Sequence, residues 1–223
     1  MKATPQQRLD LFNPIVKARV QKTFAYFGSA CMGTGALMYA LRNSSLVTMN
    51  PWVLLACSFG TLIGTHMLDY NTNFAAKNLM YGAFIGTMSV SLLPLIHIYA
   101  SSVLFDAAIA TGVTMGALST VAYNAPSEQF LNWGGPLACG LGGLLGVSLL
   151  SMLYPGSKAL TSIWLYGGLA LFSAFVLYDV QHVLHRAKTQ HVYDPISGSI
   201  GIYMDAVNLF VRFAMILGNS KRK

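Results

Sequence analysis

Apolar residues run almost unbroken along this chain, in stretches set apart by short polar or turn-rich breaks. Seven stretches stand out, at residues 23–41, 51–68, 78–98, 106–125, 133–153, 160–183 and 200–217. A helix needs about 20 apolar residues to cross the hydrocarbon core of a bilayer, and each stretch is of that order. The breaks hold helix-ending and turn-forming residues, among them Arg42-Asn43-Ser44-Ser45, Ala125-Pro126-Ser127 and Tyr154-Pro155-Gly156. None of the runs alternates as the strands of a membrane barrel must. Helices satisfy every backbone group internally, which lipid demands. The pattern therefore predicts an all-α integral membrane protein, a seven-transmembrane helical bundle over residues 23–217. Basic tails at 1–22 and 218–223 flank it, with no second domain.

Composition supports lipid as the solvent. Of 223 residues, 54% are apolar and 9% charged, against about 25% charged in a soluble domain. The net charge is +7, and the basic residues fall in loops and tails, where they favour anionic lipid. They form no aromatic-interleaved stripe, so nucleic acid is not an expected partner. The tail places Lys2, Arg8, Lys17, Arg19 and Lys22 against the single acid Asp10, a balance that suits a matrix-facing or a cytoplasmic segment. It shows no secretory signal. With seven crossings, Lys77, Arg186 and Lys188 join that side, while Arg42, Lys158, Lys221, Arg222 and Lys223 gather opposite. The bias is weak, and a re-entrant last segment would strengthen it. The length of stretch 200–217 favours a full crossing, and seven is adopted.

Four successive stretches carry glycines four apart: Gly60/Gly64, Gly82/Gly86, Gly112/Gly116 and Gly142/Gly146. Such pairs either line a pore or let a neighbouring backbone approach closely, and close helix packing is the expectation. Cys31, Cys57 and Cys139 are isolated and read as packing residues.

Seven acids exist, so each can be weighed. Asp69 and Asp106 stand where stretches end or begin and read as helix caps. Asp194, between Tyr193 and Pro195, reads as a turn residue. Glu128, in the short fourth loop, reads either as a solvated loop charge or as a vestibule acid. Asp179 and Asp205 differ, because each lies within an apolar stretch. They stand 12 and 14 residues from His191 at the centre of the loop joining the last two stretches, so they reach similar depth on antiparallel helices. A lone intramembrane charge costs roughly 2.5–3.5 kcal/mol on insertion scales, which makes such acids functional candidates. Two acids in a low-dielectric site resist ionising together, and one shared proton is the stable arrangement. The pair thus reads either as a proton-sensitive latch that offers weak, transient oxygen ligands to calcium, or as two interfacial acids facing water. Arg212 and Asn208 share a helical face with Asp205, and Arg212 either holds a carboxylate or snorkels to the interface. His66 and His97 read as packing or interfacial residues, and His182, His185 and His191 as interfacial. No nucleophile elbow, zinc-protease motif or phosphate loop occurs, so neither catalysis nor a resident cofactor is expected. The acid pair puts span seven inside the bundle, since it alone carries both an acid and a base.

Several segments resemble a known family: Ser119-Thr120-Val121-Ala122, Ala125-Pro126-Ser127-Glu128, Gly135-Pro136-Leu137, Leu177-Tyr178-Asp179, Tyr193-Asp194-Pro195-Ile196 and Ile202-Tyr203-Met204-Asp205 with Asn208 and Arg212. They are similar to the mitochondrial branch of the transmembrane Bax inhibitor motif family, most clearly from about residue 117 onward. The resemblance implies six helices around a central seventh. It implies a calcium pathway gated by a pH-sensing aspartate pair, matching Asp179 and Asp205, as a leak or calcium–proton exchange in the mitochondrial inner membrane. The N-terminus would lie on the matrix side. Roles in cristae organisation, in apoptosis and in contact with inner-membrane proteases or complexes are also implied. Relatives carry an arginine in their second helix as partner for the pair. Here the apolar part of that stretch has His66 as its only ionisable residue, so Arg212 or His66 takes that place, or gating differs. The competing reading is a non-transporting scaffold.

Overall fold

The computed structural model describes residues 13–126 and 129–221. They form seven helices and, among the described residues, no strand: α1 (Pro14–Leu41), α2 (Pro51–Met67), α3 (Phe74–Ile98), α4 (Ser101–Asn124), α5 (Gly134–Leu153), α6 (Lys158–Thr189) and α7 (Pro195–Lys221). Each of the seven predicted stretches lies on one helix to within a residue, and α1, α3, α4, α6 and α7 extend beyond theirs. α1 begins at Pro14, so residues 14–22 of the expected tail are helical. Hydropathy marks only the portion at hydrocarbon depth; the backbone continues helical into the interface, where water can solvate Lys17, Arg19 and Lys22. The C-terminal tail is likewise helical as far as Lys221.

Three helices start with one local device. Asn13 and Asn50 precede Pro14 and Pro51, and each Asn side chain accepts from the N–H two residues on, at 3.0 and 2.9 Å. Proline pre-sets the first helical dihedral and lacks a donor that would go unpaired there. Asp194 before Pro195 does the same for α7, accepting from Ile196 N at 3.0 Å and Ser197 N at 3.2 Å. Asp194, read above as a loop turn, is therefore a helix cap. The two acids read as caps are not. Asp106 lies within α4, which already begins at Ser101. Asp69 closes a turn between α2 and α3, accepting from the N–H groups of Asn71 and Thr72, which hold its carboxyl below the usual carboxylate range.

Five helices are long and apolar enough to cross a membrane; α2 is apolar but shorter, at 17 residues. Large side chains such as Ile63, Leu79, Val113 and Leu149 point outward, a surface that only lipid covers cheaply. α7 is the best-buried span. It packs against α1, α3, α4 and α6, while α2 packs on α3 and α5 on α6. Side chains of α7 enter every apolar cluster, with Ile202 and Leu209 in one, Ile196 and Tyr203 in a second, and Val207 and Val211 against the third.

The glycine pairs do not serve the packing expected of them. Of the eight, only Gly64 has a neighbour within 4 Å of where a Cβ would stand, Met80 Cε at 3.0 Å. The close approaches fall on single glycines instead. A Cβ at Gly201 would collide with the Asp179 carboxylate, one at Gly168 with the Arg212 guanidinium, and one at Gly218 with the Tyr99 ring.

Candidate functional site

Asp179 and Asp205 lie ten residues from the facing ends of α6 and α7, at Thr189 and Pro195. At 1.5 Å per residue each is about 15 Å into its helix. Gly201 stands one turn before Asp205, and its bare Cα is the notch into which the Asp179 carboxylate fits. The Asp179 carboxylate thus sits against α7 one helical turn from Asp205. Asp205 is 3% exposed, and its Oδ2 is buried with no donor among the described residues.

Gly201, Asp205, Asn208 and Arg212 form one stripe along α7, since their spacings of four, three and four keep to one helical face. At the stripe's far end Arg212 is 2% exposed. Its Nη1 donates to the carbonyl and to Oδ1 of Asn208, both at 3.0 Å. The guanidinium carbon lies 4.6 Å from the ring centres of both Trp164 and Phe172 on α6. Guanidinium–aromatic contacts of this kind stabilise by about 2 kcal/mol when desolvated. Trp164 belongs to a π-helical turn, Ile163–Gly167, and Gly168 after it leaves room for the guanidinium. Arg212 thus neither snorkels nor meets a carboxylate among the described residues. It is a buried cation held by rings.

On the N-terminal side a second cluster ties α7 down. Lys77, 1% exposed, donates from Nζ to Leu68 O at 2.7 Å and Ser197 Oγ at 3.3 Å, and pairs with Asp194 Oδ2 at 2.6 Å. Arg19 donates to the carbonyls of Ala187, Gln190 and His191, at 2.9, 2.7 and 3.1 Å. Thr23 and Tyr193 share a 2.6 Å hydroxyl contact. His66 is exposed, within electrostatic reach of Lys77, Asp194 and Arg186. It belongs to this cluster, and the aspartate pair is not among the charges acting on it. Glu128 lies outside the described residues. The loop on either side of it is moored by Gln181 on α6, which accepts from Phe130 N at 2.7 Å and donates to Pro126 O at 2.9 Å.

Sequence reasoning missed Lys77, Gly201, Gly168 and Trp164. Two left a signal: Gly201 stands four residues before Asp205, and Lys77 is a cation one turn into a helix. Gly168 and Trp164 left none, because their role depends on a turn of π-helix. Among the described residues no three metal-ligating side chains gather.

Fold and site together define a multi-span helical membrane protein whose most buried helix carries an acid and a base. The chain belongs to the Bax1-I family, inhibitor of apoptosis-promoting Bax1, whose family model matches residues 16–222. The family expected from residue 117 onward is thus the family found. The chain is similar to the growth hormone-inducible transmembrane protein of Rattus norvegicus, 37% identical over 93% of this chain and 65% of that protein. It is similar also to Bax inhibitor 1 of Oryza sativa subsp. japonica, 27% identical over 84% of this chain and 74% of the relative. Bax inhibitor 1 of Drosophila melanogaster is 23% identical over 96% of this chain and 87% of its own length. The chain therefore spans 65% of the length of the rat protein.

Proposed function

We propose that this chain lets calcium cross the mitochondrial inner membrane, as a pH-sensitive leak or in exchange for protons, with Asp179 and Asp205 as the gate. The observation that carries the reading is the buried Asp205 Oδ2, without a donor among the described residues, one helical turn from the Gly201 notch that holds the Asp179 carboxylate. Two carboxylates can only accept hydrogen bonds; one proton turns one of them into a donor. A proton shared between them closes α6 on α7, and its loss sets two charges against each other in a low-dielectric site. The freed oxygens then face the calcium ion. Two carboxylates supply at most four of its usual six to eight ligands, so residence is brief, as passage requires.

In this reading all seven helices cross, six surround α7, and the N-terminus faces the matrix. Support comes from the packing of α7 on four helices and its burial, and the location rests on the family likeness. Arg212 fixes the far end of α7, His66 tunes the charge at the N-terminal mouth, and Glu128 is a vestibule acid on that side. No catalysis is proposed. The second reading is a scaffold that organises cristae or restrains membrane proteases and cell death. It is favoured by the outward-facing glycine pairs on α3 and α5, whose open surfaces suit helices of other proteins.

The test is calcium flux into liposomes containing only this protein, measured across pH. Asp179→Asn and Asp205→Asn each remove one titrating group at nearly constant volume and should flatten the pH profile. Asp69→Asn, in an exposed turn, should leave it unchanged. Parent-like profiles in both pair variants would refute the gate, and absent flux in the parent would favour the scaffold.

A further inference from the structure

Helices α1 and α4 both pack on α7 but stand apart from each other. Between them is a cavity of about 850 Å³, backed by Tyr203, Ala206, Val207 and Phe210 of α7. That lies within the roughly 300–1,000 Å³ typical of small-molecule sites. Three glycines on its two facing walls, Gly35 on α1 and Gly112 and Gly116 on α4, keep it open, because a Cβ added at any of them meets nothing within 4 Å. Glycine within a helix costs about 1 kcal/mol relative to alanine, so these positions forgo helix stability and packing at once. Neither Asp179 nor Asp205 lines the cavity, and its walls are largely apolar. It is therefore not a continuation of the acid site.

One charged side chain is among the described residues that line it. Arg42 caps the end of α1, on the side of the bundle opposite the N-terminus. It stacks on Tyr39 at 3.9 Å and donates Nη1 to the Tyr39 carbonyl at 2.9 Å, and it pairs with no carboxylate among the described residues. Ser101, which opens α4 after an N-cap residue (Ala100) that gives no side-chain hydrogen bond, lines the same cavity. An apolar slot at hydrocarbon depth with a cation at interfacial depth has the polarity of an amphiphile: acyl chain inward, anionic phosphate at Arg42.

We propose that this cleft binds one anionic phospholipid from the surrounding bilayer, with an acyl chain between α1 and α4 and its phosphate on Arg42. The lipid would lie against Ala206, the neighbour of Asp205, so its presence bears on the helix that carries the acid. Binding itself does not depend on whether calcium is transported.

The experiment is native mass spectrometry of the full chain released from detergent, with phosphatidylglycerol titrated against phosphatidylcholine of the same acyl chains. One phosphatidylglycerol per chain is expected to stay bound, favoured over phosphatidylcholine about fivefold by the one cation. Arg42→Gln should erase that preference while leaving phosphatidylcholine bound. Gly112→Leu or Gly116→Leu displaces about two methylenes of the chain, so retention of both lipids should fall about tenfold. Gly82→Leu, in open space on α3 outside the cleft, should change nothing. Circular dichroism confirms the fold of each variant, and if the α4 variants misfold, Gly35→Leu asks the same question from the opposite wall. Unaltered retention in the filled variants would overturn the proposal. So would the absence of a one-to-one lipid adduct, or a dimer that the filled variants abolish, which would make the cleft a seat for a helix of a second copy.

Discussion

Removing the charge of Asp194 should destabilise the protein more than removing the charge of Lys77, although the two form one ion pair. The asymmetry follows from their surroundings. Lys77 is 1% exposed and the Asp194 side chain 19%. Asp194→Asn leaves the ammonium buried with Leu68 O and Ser197 Oγ as its acceptors among the described residues. Stranding a buried charge costs about 3–5 kcal/mol, and partial exposure on the acid side trims this to about 2–3 kcal/mol. Asparagine still caps α7, so this figure is electrostatic. Asp194→Ala also loses the cap, for about 1 kcal/mol more. Lys77→Met fills the buried site with an apolar chain of similar length. It leaves Asp194 partly hydrated, still accepting from Ile196 N, Ser197 N and Ser197 Oγ. Its cost should be about 1 kcal/mol.

Thermal unfolding in detergent, followed by far-UV circular dichroism, reads the series. At about 2–4 °C per kcal/mol for a chain of this size, Asp194→Asn should lower the Tm by about 5–10 °C, and Lys77→Met by about 3 °C. The double variant should resemble Lys77→Met, because without the ammonium the Asp194 charge has little left to do beyond capping. A Lys77→Met loss equal to or larger than that of Asp194→Asn would refute the reasoning, since the stranded ammonium would then not be the dominant cost.

Two further predictions rest on single glycines. Gly201→Ala keeps both acids but puts a methyl where the Asp179 carboxylate sits, so the proposed calcium flux should lose its pH dependence, as expected also for Asp179→Asn. A parent-like profile in liposomes would mean that the notch does not set the pair. Gly168→Ala should lower thermal stability by about 1–2 kcal/mol, because overpacking against the Arg212 guanidinium outweighs the helix-propensity gain, whereas Gly82→Ala, in open space, should raise it by about 0.5–1 kcal/mol. Equal shifts of one sign would show that only helix propensity is being measured.

The helices were legible because lipid makes the hydrophobic pattern nearly sufficient: residues 133–153 lie on α5 almost end to end, and every predicted stretch lies on one helix to within a residue. What hydropathy could not reach was the interfacial part, where Lys17 and Arg19 sit on α1 and Asp194 caps α7. A charged residue there reads as a break in composition although the backbone runs on. Asp179 and Asp205 were placed at one depth by counting from the loop, since helical rise is fixed and the connection is short. The partner of Arg212 was not legible. Counting gave its face on α7, but Trp164 reaches it from a π turn, which carries no periodic signal. The glycine spacing misled for a related reason. It identifies a smooth helix face without saying whether a helix, a cavity or lipid lies against it.

The arrangement around α7 also says where a change of protonation would be felt. Ser199 and Tyr203, four residues apart, lie on one face, where Tyr81 reaches Ser199 at 3.1 Å and Thr34 reaches Tyr203 at 2.8 Å. Gly201 and Asp205, also four apart, are offset from them by two residues, about 200° around the helix. The face toward α1 and α3 is thus joined by hydrogen bonds, and the face toward α6 carries an acid whose Oδ2 has no donor among the described residues. In the proposed gate, charge on the acid pair would push α6 and α7 apart, while the hydroxyl contacts hold α7 to α1 and α3. The element across from that charge is α6. Its loop end is fastened by Arg19 to the carbonyls of Ala187 and Gln190, and its π turn is packed on Arg212. Between those two moorings lies Asp179, but Gln181 two residues on is a third, bonded to Phe130 N and Pro126 O, and Val176 and Val180 on either side of Asp179 are buried in the core. The proposed opening would therefore have to break contacts in the middle of α6, not only at its ends.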